Sequence, residues 1–432
     1  METILPYSER SEEELRAELE ILRGRYRSYV QKGYHLDMSR GKPGKSQLAI
    51  NRGMLTAIGD IDECYSVSGT DCRNYGLLDG IPEAKAIFAD ILDIPADNII
   101  VCGNSSLNIM YDTVARAMLY GIGGNEPWSK LPEVRFLCPV PGYDRHFSIC
   151  ESFGIKMIPV PMREDGPDME IVADYVNRDP AVKGIWCVPK YSNPDGITYS
   201  DEVVRAFAAL EPAAPDFRIF WDNAYPVHDL YLPGDRLLNL YRLLSECGKE
   251  NMAYFFSSTS KITFPGSGIA MIASGAENVA EIKRIMSVQT IGFDKMNMLR
   301  HVRFFGDADG VREHMKQHAS LIRPKFEIVL NELQRQLGSL GVAHWSRPRG
   351  GYFISLYMEE GSAKRVFTLC RECGVTMTTA GATYPYGQDP HDSNLRIAPT
   401  YPEVEELAIA VEVFCCCVRI ADLEKRLFQL EA

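Results

Sequence analysis

FRIFWDNAY at residues 217–225 and MAYFFSSTSK at 252–261 decide how this chain is read. Each begins as a short, strongly apolar run and ends abruptly in polar side chains. Runs of this length and character read as buried strands of a sheet covered on both faces. Asp222 closes the first run, and a carboxylate at the end of so apolar a strand needs a partner. Lys261 follows the second run after the hydroxyls of Ser257, Ser258, Thr259 and Ser260. A lysine so placed can form a Schiff base, although a surface position is the ordinary reading of any single lysine.

Working outward, the same pattern recurs. NIIVCG (98–103) is followed by Asn104, Ser105 and Ser106, which open a helical stretch. Small polar residues at a helix start form a phosphate cradle, because free N–H groups and the positive dipole end converge there. An ordinary helix cap explains either serine equally well. VRFLCPV (134–140) leads to Pro141, Gly142 and Tyr143, and an aromatic there can stack on a flat ring or simply pack. IWCVP (185–189) leads to YSNPDG (191–196), whose Asn-Pro and Asp-Gly steps are turn signals. In open α/β sheets ligands gather at the carboxyl ends of the strands. Each signal is modest, but their occurrence in order, each after a strand, points to one ligand. It would have a phosphate, a flat ring, a ring nitrogen wanting an acid, a phenolic oxygen wanting donors, and an aldehyde wanting a lysine.

Helices alternate with these strands, so the fold is expected to be α/β, a large domain with a mainly parallel sheet flanked by helices. After about residue 310 the character changes. A long helix from about Val311 to Leu337, open to a break at Pro324, precedes AHWSRPRGGYFISLYM (343–358), which reads as a strand pair. A helix, a short strand region and a terminal helix follow, giving a smaller α+β domain. Residues 9–32 read as an amphipathic helix with Leu15, Leu19 and Leu22 on one face. The expected division is an arm over 1–40, packing with the small domain, then a large domain over 41–310 and a small one over 311–432.

The chain has 432 residues, 46% hydrophobic, and a net charge of −12. That is the profile of a soluble protein with a sizeable core. An acidic surface repels nucleic acid and anionic membrane, so neither is expected as a partner, and an anionic substrate needs a local cationic site. No signal peptide or membrane span is read, and twelve cysteines without framework spacing suit a reducing cytoplasm. Cys370 and Cys373 form a C-x-x-C with no second pair, so no metal site is expected.

The stretches SRGKPGKSQL (39–48), RNYGLLDGIPEAK (73–85), GNSSLNIMYD (103–112), CPVPGYDRHFSI (138–149), YSNPDG (191–196), WDNAYPVHDL (221–230), STSKIT (258–263) and NLRIAPTYP (394–402) together resemble the fold-type I enzymes of the aspartate aminotransferase superfamily. The likeness is greatest to a divergent bacterial subgroup of aspartate aminotransferases. The resemblance implies pyridoxal 5′-phosphate (PLP) as cofactor, held by Lys261 as a Schiff base. It implies that Asp222 pairs with the ring nitrogen, that Asn193 and Tyr225 bind the phenolate oxygen, and that Tyr143 stacks on the ring. Asn104, Ser105, Ser106, Ser258 and Ser260 would surround the phosphate. Arg396 would clamp the substrate α-carboxylate, helped by the backbone of Gly41 and by Asn193. Tyr75 would reach the phosphate of a neighbouring subunit, implying a homodimer. The implied reaction is ping-pong transfer of an amino group from L-aspartate to 2-oxoglutarate, with other amino acids (aromatic, alanine or branched) or β-elimination as alternatives.

Two departures stand out. The family's phosphate-gripping arginine falls near Gly268, within ITFPGSGIA (262–270). The arginine that reads the aspartate side-chain carboxylate has no fixed place, with Arg40, Lys42, Arg145 and Lys295 as candidates. Other classes fit less well. Ser258–Lys261 matches the S-x-x-K of penicillin-binding enzymes, but the order of their second motif is reversed and K-T-G is absent. A dehydrogenase would need a G-x-G-x-x-G after a strand. A non-catalytic regulator on this fold would need a basic DNA-binding segment.

Overall fold

Arg218–Asp222 is a strand with every residue buried. In the computed structural model, which describes residues 5–431, it lies at the centre of an eight-stranded sheet. The order across that sheet is Ile99–Val101, Ala270–Ala273, Ala253–Ser258, Arg218–Asp222, Val182–Cys187, Arg135–Val140, Lys156–Arg163 and Gly166–Pro167. The four pairings from Ala253–Ser258 to Lys156–Arg163 are parallel. Side-chain alternation sends Ile219, Trp221 and Phe255 into one apolar core and Phe220, Tyr254 and Phe256 into the other. The unbroken hydrophobicity of these runs is the consequence of burial on both faces.

One strand was not expected from the sequence. Ala270–Ala273 runs antiparallel to both Ala253–Ser258 and Ile99–Val101. Two reversals restore direction, so Ile99–Val101 ends at the same sheet edge as the central strands. That brings Asn104, Ser105 and Ser106 to the edge where Asp222 and Lys261 lie.

A second, three-stranded antiparallel sheet joins Ala343–Trp345, Ile354–Met358 and Asn394–Ile397. The helices Glu12–Lys32, Ala308–Leu337, Ala363–Glu372 and Val404–Glu431 share its core. The first helix opens on a capping box in which the Ser11 hydroxyl accepts from Glu14 N–H and the Glu14 carboxylate accepts from Ser11 N–H, stabilising by about 1 kcal/mol. Ala308–Leu337 runs unbroken through Pro324. An interior proline costs about 3 kcal/mol. Burial of Ile322, Phe326, Val329, Leu333 and Leu337 outweighs that, at about 1.5–3 kcal/mol per side chain. No helix among the described residues is long and apolar enough to cross a membrane.

Behind Lys261 lies a buried polar network. His301 Nδ1 donates to the Asn297 carbonyl at 2.8 Å, and its Nε2 faces the hydroxyls of Thr259 and Thr263 at 3.1 and 3.0 Å and accepts from one of them. His318 Nε2 donates to the Ile262 carbonyl at 2.9 Å, and its Nδ1 faces the Gln47 amide at 3.2 Å. Gln47 also donates to Tyr352, whose hydroxyl donates to the Lys261 carbonyl at 3.2 Å. Each imidazole has one donor and one acceptor position in use, which only the neutral ring supplies. Burial pushes both down to about 4 from 6.5. The unfolded chain therefore takes up these protons first as pH falls, so the stability is complete above pH 6.5 and drains away towards pH 4. Thermal melts should be level from pH 8 to 7 and drop by several degrees between pH 6.5 and 5, above the range where ordinary carboxylates titrate. A melting temperature that stays constant to pH 5 would mean these rings are not held neutral.

Candidate functional site

The carboxyl ends of the parallel strands face the second sheet across a cleft of about 540 Å³. Gly41, Tyr143, Asn193, Tyr225, Lys261 and Arg396 all line it. Tyr143, Asn193, Tyr225 and Lys261, from four separated stretches, meet there because their strands end at one edge, while Arg396 is delivered by the buried strand Asn394–Ile397 of the smaller sheet.

Asp222 lies at the back, 2% exposed. Its Oδ2 is 3.1 Å from His146 Nε2, and its Oδ1 has no partner in the protein. His146 is itself stacked on Trp186, with ring centroids 4.4 Å apart and planes 10° from parallel, and Tyr143 meets it edge-on. A buried carboxylate oxygen without a donor is costly and calls for one from a ligand. His146 was missed by the sequence reading. Its place three residues after Tyr143, in the first turn of a helix, carries no signal that separates it from a core histidine.

The Lys261 amino group sits 4.9 Å from the centroid of the Tyr225 ring and 5.9 Å from that of Tyr352. Desolvation lowers its pKa, Asp222 opposes the shift, and Arg396 adds to it. The amine is thereby made easier to deprotonate, as a nucleophile or base requires. Burial raises the Tyr225 phenol well above its usual value and pushes Tyr143 up to about 12, so both hydroxyls stay protonated. Arg396 is 5% exposed, with its guanidinium 4.7 Å over the Phe353 ring, and one of its arms donates to Asn193 Oδ1 at 3.0 Å.

The hydroxyl residues gather at the sheet edge beside Lys261. Ser258 Oγ donates to Ser260 Oγ at 3.0 Å, and Ser260 Oγ reaches the Asn104 carbonyl at 3.4 Å. Ser105 stands at the N-cap of the helix Ser106–Tyr120, yet its side chain makes no capping bond, so the hydroxyl and the helix N–H groups are free for a ligand. Gly268 sits tightly in this edge. A Cβ there would lie 3.0 Å from the Asn104 carbonyl and 3.1 Å from Thr259 Oγ1, so a side chain would need its neighbours to give by a few tenths of an ångström. Tyr75 is not brought to the cleft. It lies 80% exposed on an outlying loop. Among the four cations left open, Lys295 is buried against the Gly76 carbonyl, and Lys42 is drawn to Asp37 and the Tyr401 ring. Arg40 and Arg145 line the cleft.

An orphaned buried carboxylate oxygen, an amine with a lowered pKa, and an uncapped helix start at one edge fit the ring nitrogen, aldehyde and phosphate of one cofactor. The sequence family described as aspartate amino-transferase matches residues 10–430. The chain belongs to that family. It is an aminotransferase, and PLP is its cofactor. An aspartate aminotransferase of Corynebacterium glutamicum is 44% identical over 406 residues, covering 94% of each chain. A Mycolicibacterium smegmatis protein, named an aminotransferase only provisionally, is 45% identical over 414 residues, covering 95% of this chain and 97% of that one. The crystal structure of an aspartate transaminase from C. glutamicum superposes with a TM-score of 0.93 at 43% identity, covering 96% of this chain and 97% of that one. The fold expected from the sequence, a mainly parallel sheet flanked by helices plus a smaller antiparallel unit, is the fold found. As an aminotransferase the chain acts on an amino acid and a 2-oxo acid.

Replacing Lys261 by Ala should leave a folded protein that takes up PLP without covalent attachment and loses turnover by about 10²–10⁴-fold or more. Reduction with borohydride followed by mass measurement checks the attachment. A cofactor adduct persisting in Lys261→Ala would place the anchor elsewhere.

Proposed function

We propose that the enzyme transfers the amino group of L-aspartate to 2-oxoglutarate, giving oxaloacetate and L-glutamate in two half-reactions. The observation that carries the reading is the charge of the cleft. On a chain of net charge −12, it is lined by Arg40, Lys42, Arg145 and Arg396 around Lys261. Such a concentration of cations suits substrates with two carboxylates, and the C. glutamicum relative is an aspartate aminotransferase.

On this reading Lys261 anchors the cofactor and, once displaced by the substrate amine, its Nζ takes the proton from the substrate Cα. PLP, when bound, supplies an electron sink for the bond that breaks. Asp222 Oδ1 holds a proton on the ring nitrogen, and the His146–Trp186 stack holds Asp222 in place. Asn193 and the Tyr225 hydroxyl donate to the phenolate oxygen, and Tyr143 covers one face of the ring. Asn104, Ser105, Ser106, Ser258 and Ser260 hold the phosphate by hydroxyls and N–H groups. The planar fork of Arg396, with the backbone of Gly41 and the amide of Asn193, grips the α-carboxylate and fixes the orientation of the Cα–H bond. Residues 41–310 serve as the cofactor-binding domain and 311–432 as the smaller domain that brings Arg396. The exposure of Tyr75 suits a homodimer in which it reaches the partner's cofactor, and the free cysteines suit the cytoplasm.

The visible absorption of the holoenzyme should bleach on adding L-aspartate and return with 2-oxoglutarate. Bleaching by an aromatic or branched amino acid but not by L-aspartate would keep transamination and replace the substrate. Release of ammonia instead of a recoverable spectrum would favour β-elimination.

A further inference from the structure

Arg396 pairs with a carboxylate of the protein itself. Its Nη1 donates to Asp144 Oδ1 at 3.0 Å as well as to Asn193, its Nη2 reaches Thr378 Oγ1 at 3.4 Å, and its buried Nε has no partner. The Arg396 side chain is 6% exposed and that of Asp144 32%, and both line the cleft, so the acid meets the guanidinium from the open side. Asp144 is the first residue of the helix Asp144–Ser152, directly after Tyr143. We propose that Asp144 is an internal occupant of the carboxylate clamp that the substrate displaces, and that this exchange lowers affinity for every carboxylate ligand. The inference rests on the role proposed above for Arg396.

The argument is one of charge. A substrate carboxylate gripped by both arms of Arg396 must take Nη1 from Asp144 or share one guanidinium with it. Sharing places like charges side by side in a part-buried site, which is unfavourable. Exchange replaces one carboxylate by another and gains little, so a substrate with a single carboxylate is held weakly. A second carboxylate changes the balance, because Arg40 and Arg145 line the same cleft and neither has an ion-pair partner among the described residues. Asp144 thus weakens the clamp for every carboxylate, while Arg40 and Arg145 supply the added hold on a dicarboxylate.

The test uses PLP-loaded wild type and Asp144→Asn, which keeps shape and removes charge. Binding of maleate, an unreactive dicarboxylate, and of L-alanine is measured by titrating the cofactor absorbance. We expect Asp144→Asn to bind maleate about fivefold more tightly, roughly the worth of a part-exposed ion pair. L-Alanine should gain by about the same factor, because both ligands displace the same carboxylate from Arg396. Unchanged binding would overturn the proposal, and weaker binding would overturn it by making Asp144 a direct partner of the ligand. Arg396→Lys tests the underlying reading separately. It should bind maleate far less well, and wild-type affinity there would remove the clamp itself. Melting temperatures close to wild type confirm that each variant is folded.

Discussion

A carboxylate at the end of a fully buried strand, with one oxygen left unpaired, is the constraint around which this molecule is arranged. An unsatisfied buried acceptor costs about 1–3 kcal/mol, and more when it is charged. Asp222 carries that cost on Oδ1 while His146 satisfies Oδ2, and Trp186 pins His146 from behind. The five-residue strand that carries Asp222 is buried throughout, so the acid cannot swing out to water. What the protein lacks there is a donor, and the cofactor of its family has one.

The other parts of the site are held by different means. Lys261 sits on a turn whose backbone is tied on two sides, by His301 through two threonines and by His318 and Tyr352 through the carbonyls of residues 262 and 261. The Lys261 amine is therefore mobile only beyond its own Cα. Arg396 comes from a different sheet, held in register by the pairing of Ser355 with Arg396. On the reading proposed above, chemistry and carboxylate recognition belong to separate layers of the fold, facing each other over the cleft.

Much of this was legible in the sequence because buried strands are apolar from end to end. Where such a strand stops, polar residues stand out, and Asp222, Lys261, Tyr143 and Asn193 were found in that way. What could not be read was anything settled by packing across the sequence. His146 matters because Trp186 and Asp222 lie beside it, forty and more residues away. The antiparallel strand Ala270–Ala273 is four residues of ordinary apolar character, yet it decides that Asn104–Ser106 and Lys261 share an edge. Pro324 advertised a break, and the burial of the helix around it prevailed. The pairing of Asp144 with Arg396 joins positions far apart in the chain, and no local pattern announces it.

Gly268 has a consequence for how this enzyme meets its ionic surroundings. A glycine carries no side chain to this edge, and a Cβ there would already press on the Asn104 carbonyl at 3.0 Å. On the reading proposed above, each subunit then answers a doubly charged group with hydroxyls, amide N–H groups and a helix dipole, and with no fixed cation at that position. Asn104 is exposed and Ser105 and Ser106 are only half-buried, and salt screens a helix dipole as it screens a charge. On that reading, retention of the cofactor phosphate responds to the electrolyte together with the cation-lined cleft beside it.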